Sequence, residues 1–192
     1  MENLKNIHPP AAVQAIIADS QAIGFNMLSE PLTGSLLRML AGSKPGGRFL
    51  ELGSGSGLST AWLLGGMDAQ SSLLTVDNDK ALLAILNRYL GHDPRLQAVC
   101  ADGDEFVASL KGRQFDFIFA DTWSGKYQML DETLDLLAPG GLYVIDDMLP
   151  QANWPEGHDK KATDLIDYLE NLPGFHCTKL AWASGLMILS KR

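Results

Sequence analysis

Residues 48–60 read RFLELGSGSGLST, and the way this stretch changes character decides the fold. A short, mostly apolar run is stopped by glycines, which predicts a buried strand over 48–54; the apolar spacing that resumes at Leu58 predicts a helix to Met67. Gly53, Gly55 and Gly57 stand at the turn between them. Glycines there permit a tight reversal and let main-chain N–H groups approach a ligand at the positive end of the helix.

The same alternation repeats outward along the chain. SLLTVDN (72–78), LQAVCAD (96–102), FDFIFAD (115–121) and GLYVIDD (141–147) are short, apolar and bounded by turn-forming residues. Helical patterns over Lys80–Leu90, Asp104–Leu110 and Tyr127–Leu137 separate them. Strands that are apolar nearly throughout and alternate with helices predict a parallel sheet covered on both faces, a doubly wound, Rossmann-like α/β fold. Two further helices, Ala11–Phe25 and Pro31–Leu40, precede the first strand, and Lys161–Leu172 follows the fifth. FHCTKLAWA (175–183) and LMILSKR (186–192) are joined by little more than SG, too short for a parallel crossover. The expectation is therefore a seven-stranded sheet, mostly parallel with an antiparallel last strand, in a single domain with N-terminal helices in 1–45 and the sheet core in 46–192.

With 192 residues, 46% hydrophobic and 20% charged, the chain suits one well-buried core. A net charge of −8 argues against a nucleic-acid surface, since phosphate affinity comes mainly from Lys and Arg. No run of apolar residues is long enough to span a membrane, and the opening MENLKNIHPP has no hydrophobic signal core. A cytoplasmic protein acting on a small molecule, with no membrane partner and as a possible homodimer, is the expectation. Cys100 and Cys177, in strand-like runs far from each other, read as buried free thiols.

Acids fall at the strand ends. Glu51, Asp77, Asp102, Asp121 and the pair Asp146–Asp147 all lie at or near the C-terminal ends of predicted strands, the edge where open parallel sheets bind ligands. Any one of them could be a helix-capping aspartate; the whole set is harder to explain that way. Asp77 comes twenty residues after Gly57, where an acid can accept hydrogen bonds from ribose hydroxyls. A nicotinamide enzyme could use such a turn, but it has no obvious need of Glu51, two residues before the first glycine. A ligand that carries an ammonium group does.

E-x-G-x-G-x-G at 51–57, Asp77, Ala101-Asp102-Gly103 and LLAPGGLYVIDD (136–147) together resemble the motif set of class I S-adenosylmethionine-dependent methyltransferases. Within that class, SEPLTGSLL (29–37) ahead of the turn and the acid–x–Trp of Asp121 and Trp123 are similar to the catechol and caffeoyl-CoA O-methyltransferase group. The resemblance implies O-methylation of a small-molecule hydroxyl. It implies that Glu51, Gly53, Ser54, Gly55 and Gly57 form the cofactor turn, with Glu51 and Gly53 at the methionine moiety and Ser59 at its carboxylate. Asp77 would hold the ribose, Asp102 beside Gly103 the adenine amino group, and Trp123 the face of the adenine ring.

It also implies a divalent cation such as Mg²⁺ on Asp121, Asp146 and Asp147, three hard oxygen ligands, with an aspartate where the group has an amide. The group's base is a lysine three residues after the first acid. Here that position is Ser124, which has no useful basicity; the nearest lysine is Lys126, and His158 is a second candidate. The catalytic set is thus Asp121, Lys126 and His158. LPQANWPEGHD (149–159) is longer than a connection needs and reads as a lid or acceptor wall carrying Trp154. A nicotinamide-dependent oxidoreductase and a non-catalytic cofactor-binding module are the alternative functions.

Overall fold

The computed structural model describes residues 7–151 and 154–192. Ahead of the sheet stand α1 (Val13–Ala22) and α2 (Pro31–Gly42). The core then runs β1 (Arg48–Leu52), α3 (Leu58–Gly66), β2 (Ser72–Asp77), α4 (Lys80–Leu90), β3 (Leu96–Cys100), α5 (Gly103–Ser109), β4 (Phe115–Ala120), α6 (Leu130–Asp135) and β5 (Leu137–Ile145). It closes with α7 (His158–Glu170), β6 (Phe175–Leu180) and β7 (Leu186–Lys191). The sheet has seven strands in the order β3-β2-β1-β4-β5-β7-β6. β1 to β5 pair in parallel, while β7 inserts antiparallel between β5 and β6. The short 181–185 connection enforces that reversal.

Continuous apolar strands follow from burial on both faces. Along β4, Phe117 and Phe119 point into a core under α1 to α4 with Leu37, Trp62 and Leu86. Ile118 and Ala120 point into the opposite core with Phe106, Leu134 and Leu169 from α5, α6 and α7. Each such Leu, Ile or Phe side chain, removed from water, contributes about 1.5–3 kcal/mol. α2 and α3 cross closely because Gly34 lies against the Trp62 indole, where a Cβ would come within 2.4 Å.

Three expectations need correction. The helix read over Tyr127–Leu137 is only Leu130–Asp135; residues 124–128 form a tight turn in which Gly125, Lys126, Tyr127 and Gln128 exchange main-chain bonds with Trp123 and with each other. β5 begins at Leu137 rather than 141, passing Pro139-Gly140-Gly141 through a register shift against β4. Cys100 is exposed and Cys177 only partly buried, because β3 and β6 are the sheet's two edge strands. Among the described residues no helix is long and apolar enough to cross a membrane.

The order of strands sets the position of the site. From β1 the chain proceeds outward to β2 and β3, then returns to place β4 on the other side of β1. The connections after β1 and β4 therefore diverge and leave a crevice at their C-terminal ends. At its floor the two ends meet: a Cβ on Gly53 would lie 2.9 Å from the Asp121 carbonyl oxygen.

Candidate active site

A cavity of about 680 Å³ opens at this crevice. One end is formed by the glycine turn. Gly53, Gly55 and Gly57 all have positive φ, at 88°, 50° and 95°, so the reversal requires them. Asp77 braces the turn from β2: its Oδ2 accepts from the Gly55 N–H at 2.8 Å, and its Oδ1 from the Asp79 N–H at 2.9 Å. Ser54, Ser59 and Asp77 line the cavity. From the other side, Ser20 on α1 donates to Ser56 Oγ at 2.7 Å, and the Phe25 ring approaches Gly55. The segment from Phe25 to Glu30 thus forms one wall.

Three of the expected cofactor residues lie elsewhere. Glu51 is fully buried beneath the turn and does not reach the cavity wall. Its Oε2 accepts from Thr60 at 2.6 Å and Thr75 at 2.7 Å, while Oε1 has no partner among the described residues. Burial raises its pKa against those hydroxyl bonds. Asp102 is exposed and caps α5, accepting from the Asp104 and Glu105 N–H groups, which is the capping role open to any strand-end aspartate. Gly103 is packed under Ser124, with a Cβ there 2.4 Å from Ser124 Oγ.

The other end gathers acids, one lysine and four rings. Asp121 from β4 and Asp146 and Asp147 from β5 line the cavity, and so does Lys126. Although two places beyond the expected position, Lys126 is buried and points inward, its Nζ donating to the carbonyl oxygens of Asp146 at 2.6 Å and Asp147 at 3.3 Å. Ser124 points the other way, donating to Asp104 Oδ1 at 2.7 Å. The turn is fixed from below by Tyr143, whose hydroxyl donates to the Gly125 carbonyl oxygen. Asp146 Oδ1 accepts from Ser184 Oγ and from the Asp147 N–H. Asp147 takes a left-handed φ of 56°, a conformation costing a non-glycine residue on the order of 1 kcal/mol.

Crowded carboxylates shift one another. Burial, then the charges of Asp146 and Asp147, hold Asp121 well above the usual carboxylate range, against the pull of Lys126. Burial, and secondarily Asp147, push Asp146 up to about 6, opposed by the Ser184 bond. Burial lowers Lys126, opposed by the three acids. A divalent cation does not fit this arrangement: among the described residues no three acidic, histidine or cysteine side chains converge as a metal site, and the amine already lies among the expected ligands.

His158, at the start of α7, is buried against this group. Its Nε2 lies 3.2 Å from the Tyr127 hydroxyl, and its ring packs 4.5 Å from Trp154 and 5.8 Å from Trp123, centroid to centroid. Burial, then the charges of Lys126 and Lys161, lower its pKa. Burial pushes Tyr127 up to about 12. Trp123 is 43% exposed, with Lys161 Nζ 4.3 Å from its ring centroid. The wall expected over 149–159 is formed by Gln151, Trp154, Pro155 and His158; its remaining part, 152–153, lies outside the described residues.

Tyr127, Ser29 and Ser184 are site residues that the sequence did not reveal. Ser29 donates to Asp121 Oδ2 at 3.3 Å. Tyr127 follows Lys126 directly, but its apolar spacing reads as the start of a helix; Ser184 sits in a hairpin turn whose letters signal only a reversal.

Residues 50–148 match the family model of a methyltransferase domain. The chain belongs to that family. The methyltransferase domain is 30% identical over 147 residues to a protein of Mycobacterium sp. (strain JLS) named "Putative O-methyltransferase", covering 73% of this chain and 66% of that one. A protein of the same name from Mycobacterium avium (strain 104) is 29% identical over 120 residues, 60% of this chain and 54% of that one. The matches thus span between half and two thirds of these relatives. In fold, the domain is similar to the O-methyltransferase from Bacillus cereus in complex with SAH, with a TM-score of 0.83 at 17% identity over 97% of this chain and 94% of that one. It is also similar to the O-methyltransferase TomG from Streptomyces achromogenes in complex with SAM, with a TM-score of 0.82 at 16% identity over 97% and 92%.

Proposed function

We propose that the chain is an S-adenosylmethionine-dependent O-methyltransferase acting on a hydroxyl of a small, planar molecule. The observation that carries this reading is that one cavity joins the glycine turn braced by Asp77 to a buried acid–lysine group walled by aromatic rings. The names of the mycobacterial relatives point the same way.

S-adenosylmethionine bound at the turn would supply a methyl group on a positively charged sulfur. Asp77 would hold its ribose, with Ser59, which lines the cavity beside the turn, at the carboxylate. Glu51, with one oxygen unpaired, supports the turn from beneath. The aromatic wall of Tyr127, Trp154 and His158 takes the acceptor, and Trp123 borders the same space. Asp121 lines the cavity beside Ser29 and is the carboxyl positioned to take the hydroxyl proton, while Lys126 would offset the charge left on the oxygen. Positioning supplies most of the rate, as expected when both reactants are held in line.

Calorimetry with S-adenosylhomocysteine and with NAD, followed by methyl transfer to a panel of phenols, tests this reading. Binding of the first ligand with turnover supports it. NAD binding in its place would favour the oxidoreductase, and binding without turnover on any hydroxyl acceptor would favour the non-catalytic module.

A further inference from the structure

We propose that Lys126 occupies, as a permanent part of the fold, the position a divalent cation would hold among Asp121, Asp146 and Asp147, and that the site therefore accepts isolated hydroxyls as readily as vicinal pairs. β4 and β5 pair in parallel with Ala120 opposite Ile145, so the residues that follow, Asp121 and Asp146, emerge side by side with Asp147 next in chain. Three carboxylates crowded in this way need a counter-charge. The chain provides one. Lys126 is 5% exposed, and its Nζ is fixed by bonds of 2.6 and 3.3 Å to the main-chain oxygens of Asp146 and Asp147. Its own N–H is tied to the Trp123 carbonyl oxygen at 3.1 Å, and Tyr143 anchors the neighbouring Gly125.

The carboxylates are also committed. Asp146 Oδ1 carries two donors, Ser184 Oγ and the Asp147 N–H, and Asp121 Oδ2 carries Ser29 Oγ. A hard cation completes its shell with waters but needs carboxylate oxygens aimed at one point, and among the described residues no three such side chains converge in that way. A metal at such a place selects acceptors able to chelate it through two adjacent oxygens. A single ammonium offers no chelate geometry and offsets charge on one oxygen as well as on two. The acceptor class that follows is the planar monohydroxy compound, a simple phenol as much as a catechol. Only this consequence for substrate choice rests on the function proposed above; the place of the ammonium does not.

The test uses the full chain. Mn²⁺ binding is followed by calorimetry and electron paramagnetic resonance in the wild type, Lys126→Arg and Lys126→Met. Wild type and Lys126→Arg should show no Mn²⁺ binding, whereas Lys126→Met should bind Mn²⁺ at least about tenfold more tightly than the weakest binding the measurement detects, the size of coupling expected between close charges. Mn²⁺ bound by the wild type, or a folded Lys126→Met without that gain, would overturn the proposal. Should Lys126→Met fail to fold, adding Asp121→Asn must restore folding by removing the uncompensated charge; failure of the double variant to fold overturns it equally. Turnover of phenol and catechol with and without chelator completes the test. Comparable rates insensitive to chelator support the proposal, and catechol-only, chelator-sensitive turnover refutes it. Absence of S-adenosylhomocysteine binding would count against the methyltransferase reading alone, since the Mn²⁺ measurements stand without it.

Discussion

Ser124 Oγ donates to Asp104 Oδ1 at 2.7 Å, so the side chain three residues after Asp121 faces α5 and turns its back on the cavity. Two residues of additional turn bring Lys126 to the inside instead. A lysine restored at 124 should therefore be useless to the reaction. In a Lys126→Ala background, Ser124→Lys is expected to leave methyl transfer at the level of Lys126→Ala alone. It should also destabilise the fold by about 1–3 kcal/mol, from the lost hydrogen bond and crowding against Gly103. Recovery of turnover in the double variant would show that the two positions are interchangeable.

Asp77 is expected to matter for both the shape of the turn and the affinity of its ligand. Asp77→Ala removes the acceptor that holds the Gly55 N–H together with the carboxylate offered to a ribose. Charge-assisted bonds contribute about 1.5–3 kcal/mol each, so S-adenosylhomocysteine should bind at least about tenfold more weakly by calorimetry. An unchanged dissociation constant in a folded variant would remove Asp77 from the ribose site.

Acid titration of the fold should carry the mark of Asp146. Its folded pKa of about 6 lies above the ordinary 3.8, so between those values the folded chain binds this proton more tightly than the unfolded chain does. Stability then falls as pH rises through that window and levels off above it. Asp146→Asn, which can keep the acceptor for Ser184, should flatten this slope. It should also raise stability near pH 7 by on the order of 1–3 kcal/mol. Urea unfolding across pH 4 to 7, a range chosen roughly to bracket the window, checks both; parallel wild-type and variant curves would contradict it.

Gly34 and Gly66 are expected to be irreplaceable for packing. A Cβ at Gly34 would enter the Trp62 indole at 2.4 Å, and one at Gly66 would meet the main-chain oxygen of Arg38 at 2.1 Å. Gly66→Ala should be the worse, because backbone cannot rotate away as a side chain can. Losses of about 1–3 kcal/mol or more are expected for each by chemical denaturation, with cofactor affinity little affected in the molecules that remain folded.

The fold was legible because its signals are local and repeated. Apolar runs ending in Asp or Gly marked the five parallel strands, and the short SG connection marked the last two and fixed their sense. What escaped notice depended on distant partners. Nothing local shows that Cys100 lies on an edge strand, or that Tyr127 leaves the helical pattern for a turn stapled by Tyr143. At the site, the strand-end acids were evident, but their division of labour was not. Asp77 braces the turn, whereas Asp102 caps α5 and does not line the cavity, a difference that neither residue's neighbours in sequence disclose. The inward direction of Lys126 depends on the turn geometry at Gly125, whose φ is 81°.

The walls of the cavity have a divided origin. The glycine turn, Asp77, Asp121, Lys126 and Asp146 lie within the stretch 50–148 shared with the family. Phe25 to Glu30 lie before it, and Trp154, His158 and Ser184 lie after it. The floor of the cavity, with Trp123 and Tyr127, thus falls within the family stretch, while the flanking segments supply a wall at each end: Phe25 to Glu30 beside the glycine turn, and Trp154, His158 and Ser184 beside the acids. Exchanging only the segment after 148 between relatives, with the shared stretch and the N-terminal wall untouched, would therefore alter the acceptor end while leaving the donor end as it is.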